Sequence, residues 1–313
     1  MSFSICGSIG ANTGPISCDV KRGRPVGMIV GGATFQPSDY ASSATFQAAF
    51  KLRLQRATGT ADKLYSFPEF QGNTDQTVAD KTGTLGYGLV VPLSQGKPGY
   101  LFNTIAGVSQ EKALRKFNNK TVPVFVFDDG GNIWGKVDSS GVFSGCDCLV
   151  SVKGKGFDDA NNAKTTDITI GFINSTDFYD NPAFASTTFG IGDLQGLVDV
   201  TLAEVSAHTT NVLHIKAFIP TTQLGVTINP YDQFADALAV ASNWTLSSGG
   251  TTIAITSVAK VAGSKSWDVT ADSTTYNALP AGATVLVGWA DPATLATGGV
   301  TGAEVPVKLI TTK

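Results

Sequence analysis

The chain has 313 residues, of which 42% are apolar and 15% charged, and 22 Lys and Arg against 25 Asp and Glu leave a net charge of −3. That length favours two domains, and this much apolar content at so low a net charge excludes a disordered polymer. An acidic chain with no Lys/Arg cluster interleaved with aromatics also argues against a nucleic-acid-binding protein.

Glycine (35 residues) and small hydroxyl residues are abundant, so the surface is covered by Thr, Ser, Asn and Gly more than by Lys and Glu, a composition common in β-rich structural proteins. Charge is uneven: residues 1–120 hold 13 Lys and Arg against 7 Asp and Glu, and residues 121–313 hold 9 against 18. Ordinary variation in surface composition gives such counts; so does head-to-tail complementarity between copies of one protein.

At the start, "MSFSICGSIGANTG" lacks a basic region followed by a long apolar stretch and a cleavage site, so no secretory leader is expected. Apolar runs are strand-sized throughout, and no membrane span is expected. Residues 1–33 read as an N-terminal arm ending in a first strand, "GMIVGGATF". A helix is predicted over 39–57, capped by Ser38 or Asp39, with Phe46, Phe50 and Leu54 on one face and Lys51, Arg53 and Arg56 on the other. Residues 60–83 have no sustained period and read as a long loop that reaches a neighbouring subunit. "YGLVVPL" and "GYLFNTI" then form a predicted hairpin across "SQGKPG", and Ser109 caps a short helix, "SQEKALRKF".

The stretch "VFVFDDGGNIWGKV", residues 124–137, sets Asp128 and Asp129 beside two glycines between β-prone segments. A calcium loop needs oxygen ligands at alternating positions and a distal glutamate, and neither follows. Paired catalytic carboxylates must face each other, whereas neighbours at a strand end point apart. A tight hairpin explains all four residues, and "DSSG" makes a second turn into "VFSGCDCLVSVKGKGF".

Cys146 and Cys148 form a C-x-C pair that, with Cys6 and Cys18, offers four thiols, but C-x₂-C is the spacing that builds a zinc site. Buried or edge thiols are expected. Of the two histidines, His208 and His214, the second lies in the alternating "NVLHIKAFIP" as a half-buried structural residue.

Further strands are predicted in "AKTTDITIGFIN", "GLVDVTLAEVSA" and "NVLHIKAFIP", with "FYDNPAFASTTFGIGD" as a second long loop, and the first unit is expected to end at residue 228. Asn229, Pro230 and Asp232 open a short helix with Phe234, Leu238 and Ala241 on one face. Four strands follow, "TTIAITSVAKV", "KSWDVTAD", "ATVLVGWAD" and "AEVPVKLITT", with turns at the spacing of a sandwich. Residues 229–313 thus resemble bacterial and phage immunoglobulin-like modules. Trp244, Trp267 and Trp289 read as packing residues, though an exposed pair would suit sugar binding.

Templates for a nucleophile elbow, a zinc protease, a phosphate-binding loop and a dinucleotide site are absent; "GIGDLQG", residues 190–196, reads as a turn. No catalytic, cofactor-binding or metal residue is therefore expected. A hydrolase would have only Asp128, Asp129, Asp158 and Asp159 to use, all in turns.

The helix at 39–57 with the hairpins around "YGLVVPLSQGKPGYLF" and "VFVFDDGGNIWGKVDSSGVFSG", followed by an immunoglobulin-like module, resembles the major tail tube proteins of long-tailed bacteriophages. The resemblance implies a β-sandwich or partly closed barrel with one flanking helix, then an immunoglobulin-like β-sandwich. It implies a non-enzymatic virion protein made in the bacterial host cytoplasm, self-assembling into stacked hexameric rings. Its partners would be copies of itself, other virion proteins and passing DNA held without specific binding, with no membrane. The loop 60–83 and the arm 1–33 would make the inter-ring contacts. A neck, baseplate or capsid-decorating protein, or a carbohydrate-binding adhesion module, is the alternative.

Overall fold

The computed structural model describes residues 22–154, 165–179, 182–194, 196–208, 210–219 and 229–313. Two units are present: Met1–Leu54 with Ala61–Gln195, and Gln55–Thr60 with Gly196–Lys313. Both are mainly β, as the composition predicts.

The first unit begins with β1 (Pro25–Val30), β2 (Thr34–Phe35) and α1 (Ser43–Leu54). Phe46, Phe50 and Leu54 are fully buried on one face of α1, as their spacing requires. The helix starts later than expected. Ser42, not Ser38 or Asp39, caps it, its hydroxyl accepting from the Thr45 amide at 3.1 Å, while the Asp39 carboxylate is engaged by the Gln36 amide (3.0 Å) and by Arg53 (2.9 Å). There follow β3 (Tyr65–Ser66), β4 (Gly72–Asp75), β5 (Lys81–Thr84), β6 (Val90–Ser94), β7 (Gly99–Thr104) and α2 (Val108–Leu114). Gly107, not Ser109, occupies the cap position of α2. The remainder is β8 (Lys120–Asp128), β9 (Asn132–Val137), β10 (Phe143–Ser144), β11 (Cys146–Lys153), β12 (Thr166–Phe172), α3 (Ser175–Tyr179) and β13 (Pro182–Ser186).

One sheet runs β2-β10-β9-β8-β11-β12-β7-β4, with β1 beside β8 and β13 beside β9. It carries a core on each face, because strand residues alternate sides. Phe125 and Phe127 of β8 join α1, Phe35 and Phe143 in one cluster; Val124 joins Phe102, Val150, Ile168 and Ile170 in the other.

Two expected loops are structured. Within 60–83, β3 pairs with β1, and β4 pairs with β7 from Gly72↔Asn103 to Asp75↔Tyr100. Within "FYDNPAFASTTFGIGD", β13 pairs with β9 over five residues, Pro182↔Lys136 to Ser186↔Asn132. The hairpin expected between "YGLVVPL" and "GYLFNTI" is replaced by another. β6 pairs back onto β5, and β7 enters the main sheet. Burial explains the exchange: Phe102 and Thr104 of β7 have a core to enter, whereas β6 is exposed along most of its length.

The second unit contains β14 (Val198–Asp199), β15 (Thr201–Ser206), β16 (Val212–Phe218), α4 (Tyr231–Phe234), β17 (Trp244–Ser248), β18 (Thr251–Thr252), β19 (Ile255–Val261), β20 (Ser266–Ala271), α5 (Ser273–Asn277), β21 (Thr284–Trp289), α6 (Pro292–Thr297), β22 (Ala303–Glu304) and β23 (Leu309–Thr312). Two four-stranded sheets, β15-β16-β20-β19 and β18-β17-β21-β23, contribute to a single core, in the manner of a sandwich. The domain boundary therefore lies earlier than residue 228. β16 pairs with β20, Leu213↔Val269 and Ile215↔Trp267, and the alternation of "NVLHIKAF" says that it is a strand without saying which sheet it enters. Divided at the observed boundary, the units carry 16 Lys and Arg against 17 Asp and Glu, and 6 against 8. The charge asymmetry of the linear halves does not separate the two units.

Candidate assembly surface

The Asp128–Asp129 corner is the β8–β9 hairpin turn, with Gly131 at φ +76°. Asp128 is 5% exposed. It accepts from the amides of Gly130 (2.9 Å) and Asn132 (2.8 Å), from the Asn132 side chain, and from the Trp134 indole at 2.7 Å. It also accepts from the Gly23 amide at 3.2 Å, and Asp129 accepts from the Arg24 amide at 2.8 Å. The two aspartates clasp residues 23–24 to the body. A Cβ at Gly23 would stand 2.3 Å from the Asp129 carboxylate, so a larger residue there would make that side chain shift. Asp158 and Asp159 lie outside the described residues, as do Cys6 and Cys18.

Cys146 and Cys148 are free and buried. Burial pushes the Cys146 thiol up to about 12 and that of Cys148 well above its usual range, so neither behaves as a thiolate at neutral pH. Among the described residues no cluster of metal-ligand type exists. His214 is half-buried on β16, 2.7 Å from Asp268. His208 joins Glu204 (2.5 Å) to the Tyr276 hydroxyl. Ile191–Asp193, within "GIGDLQG", is a single 3₁₀ turn. Trp244, Trp267 and Trp289 are all within the second core, so none offers an exposed ring on which a sugar would stack.

Among the described residues of the first unit, the β5–β6 hairpin stands largely uncovered. It leaves the sheet after Gln76, whose amide donates to the Gly99 carbonyl at 2.8 Å, and is closed at its base by Val78 N–H to Lys97 C=O at 3.0 Å. At the tip the Leu85 amide donates to the Leu89 carbonyl, 2.8 Å, around Gly88 at φ +86°. Among the described residues its two strands pair only with each other. Tyr87 is 77% exposed and Leu93 68%, with Val78, Leu89 and Val90 each more than half exposed. A lone two-stranded hairpin is marginal in water, and five large apolar side chains exposed along one such hairpin point to an interaction site.

A cavity of about 420 Å³ opens in the first unit. Phe102, Phe172, Phe178, Trp134 and Val126 form its walls, and Arg22, Asp75 and Asp177 are among its polar residues. The Arg22 guanidinium lies 3.9 Å from the Phe178 ring centre and 5.5 Å from that of Trp134, and donates to the Phe178 carbonyl. A second concavity, lined by Glu111, Arg115, Asn118, Ser151 and Lys153, is polar.

The sheet also has a half-open face. Registered pairs place Thr121 of β8, Leu149 and Ser151 of β11, Thr169 of β12 and Leu101 of β7 on one side, all partly or fully accessible. Its charged positions are Asp147, Asp167 and Lys153, and Asp147 is paired with Lys136 at 2.6 Å.

No protein-family model matches this chain, and no curated protein matches it in sequence. Among the described residues, no helix is long and apolar enough to cross a membrane.

Proposed function

We propose that this protein is a self-assembling virion structural subunit, a tail tube protein that stacks as rings around a DNA-conducting channel. The observation that carries the reading is the hairpin of residues 77–97, whose apolar side chains Val78, Tyr87, Leu89, Val90 and Leu93 each stand more than half exposed. Such a surface is stabilised when a neighbour covers it, and repeated copies of one chain supply that neighbour. The part that reaches out is this hairpin; the preceding segment joins the sheet through β3 and β4. The half-open face of β8, β11, β12 and β7 is the candidate lumen wall. Its Thr, Ser and Leu residues, with Lys153 and the Asp147-paired Lys136 as its cations among the described residues, give phosphates little to bind, because affinity for the DNA backbone comes from Lys and Arg.

Electron microscopy of the purified full-length protein across a concentration series tests the proposal. Rings or stacked tubes with an open lumen are the expected result. A monodisperse monomer at every concentration would overturn it.

A further inference from the structure

We propose, resting on the self-assembly reading, that the aromatic cavity of the first unit is the receptor for the hairpin tip of a second copy, with Tyr87 as the inserted side chain. The tip, residues 84–90, is "TLGYGLV" and carries no charge. Its receptor must therefore be apolar, which excludes the polar concavity around Arg115 and Lys153. The cavity beside Trp134 and Phe178 has the required walls, and its volume of about 420 Å³ lies within the roughly 300–1,000 Å³ range of pockets that take large organic groups.

A tyrosine needs an apolar bed for its ring and a polar partner for its hydroxyl. Phe172, Phe178 and Trp134 provide the first, and Arg22, Asp75 and Asp177 provide the second within the same cavity. The occupant is a second copy, because the chain's own Tyr87 stands 77% exposed. The hairpin from 77 to 97 is 21 residues long, a length comparable to the about 20–30 residues on one side of a standard interface. Knob and hole are different surfaces of the same molecule, so the contact is heterologous. Repeated, it closes a ring or continues as a filament, and it does not stop at a dimer unless the rotation closes there.

Replacing Tyr87 by the photo-crosslinking residue p-benzoylphenylalanine in the full-length chain tests this. Light and ¹⁵N-labelled copies are mixed and irradiated, and the joined peptides are mapped by mass spectrometry, with microscopy on the same samples. Interchain links to the peptides that carry Trp134 and Phe178 are expected, and Tyr87→Ser should raise the concentration needed for association about tenfold or more without lowering the melting temperature. Rings or tubes whose links map elsewhere would overturn the cavity assignment and leave the assembly reading standing. Concentration-dependent links to the cavity without rings or tubes would support the assignment and remove the tube. Intrachain links alone, with no association at any concentration, would overturn both.

Discussion

Asp128 shows how a pair of adjacent acids comes to be structural. Its carboxylate receives donors from the turn, from Asn132 and Trp134 on β9, and from Gly23 ahead of β1, so three stretches of chain converge on one buried anion. Removing it strands the buried Asn132 donors and the part-buried donors of Gly130, Trp134 and Gly23 at once, and hydrogen bonds to a charged group contribute about 1.5–3 kcal/mol each in such settings. Asp128→Ala should therefore lower unfolding stability by about 3 kcal/mol or more in urea titrations. Asp129, half-exposed and 4.0 Å from Arg24, should contribute less than about 1 kcal/mol when replaced by Ala. Equal effects of the two substitutions would show that the clasp on residues 23–24, and not the turn, dominates. The sequence "DDGG" disclosed the turn but not this asymmetry, because the partners at Gly23 and Trp134 come from register and from a contact across more than a hundred residues.

At the scale of elements, the strands and α1 were legible because periodicity and burial agree there: Phe46, Phe50 and Leu54 announce a helix face, and Val122 to Phe127 a strand. Pairing was not legible. β4 and β13 sit in polar or Pro- and Ala-rich stretches that read as loops, and they are strands because a neighbouring edge offers hydrogen bonds. The helix α6 carries its own signal in the sequence, an Asp-Pro start: Asp291 accepts from the amides of Ala293 (3.0 Å) and Thr294 (3.1 Å), with Pro292 in the first turn.

The hydroxyl and then the amide of Thr294 hold the Asp291 carboxyl below 3.8, and the amide and hydroxyl of Thr275 do the same for Asp272. Both pKa values are depressed in the folded state, so the caps contribute fully above the unfolded value and are lost as pH falls through the folded one. Asp291→Ala should cost about 1 kcal/mol at neutral pH, and its difference from the parent should shrink in melts below pH 3.8. A difference that persists unchanged into acid would exclude the carboxylate cap as its source.

The hairpin β5–β6 makes the opposite prediction for stability. Replacing residues 79–96 by an Asn-Gly turn joins Val78 to Lys97, which are already hydrogen-bonded, with a type I′ connection. The melting temperature should stay within about 3 °C, since the removed side chains are largely exposed and surface changes are usually within about 0.5 kcal/mol, while ring or tube formation is lost. Removing 60–83 instead takes away β3 and β4 and should unfold the sheet edge.

For the whole molecule, composition and turn spacing foretold two β-rich units, and the tail of four strands foretold a sandwich, but the boundary depended on which sheet the strands at 201–218 would join. Sequence alternation cannot choose, because Leu213, Ile215 and Ala217 would serve either core. The structure places them in the second, fully buried beside Trp267 and Val269. A chain of residues 196–313 should thus fold with a single cooperative transition, and a chain of residues 229–313 should not. The shorter chain loses Leu202, Leu213, Ile215 and Ala217 from the core and opens β20 as a new edge. Deleting large buried side chains costs about 2–5 kcal/mol each, so losing several approaches the whole 5–15 kcal/mol that holds a domain together. Dispersed amide resonances and a sigmoidal urea transition for 196–313, against collapsed or aggregated 229–313, would establish β15 and β16 as structural members of the second unit. Equal stability of the two fragments would show instead that β17–β23 close a core without them.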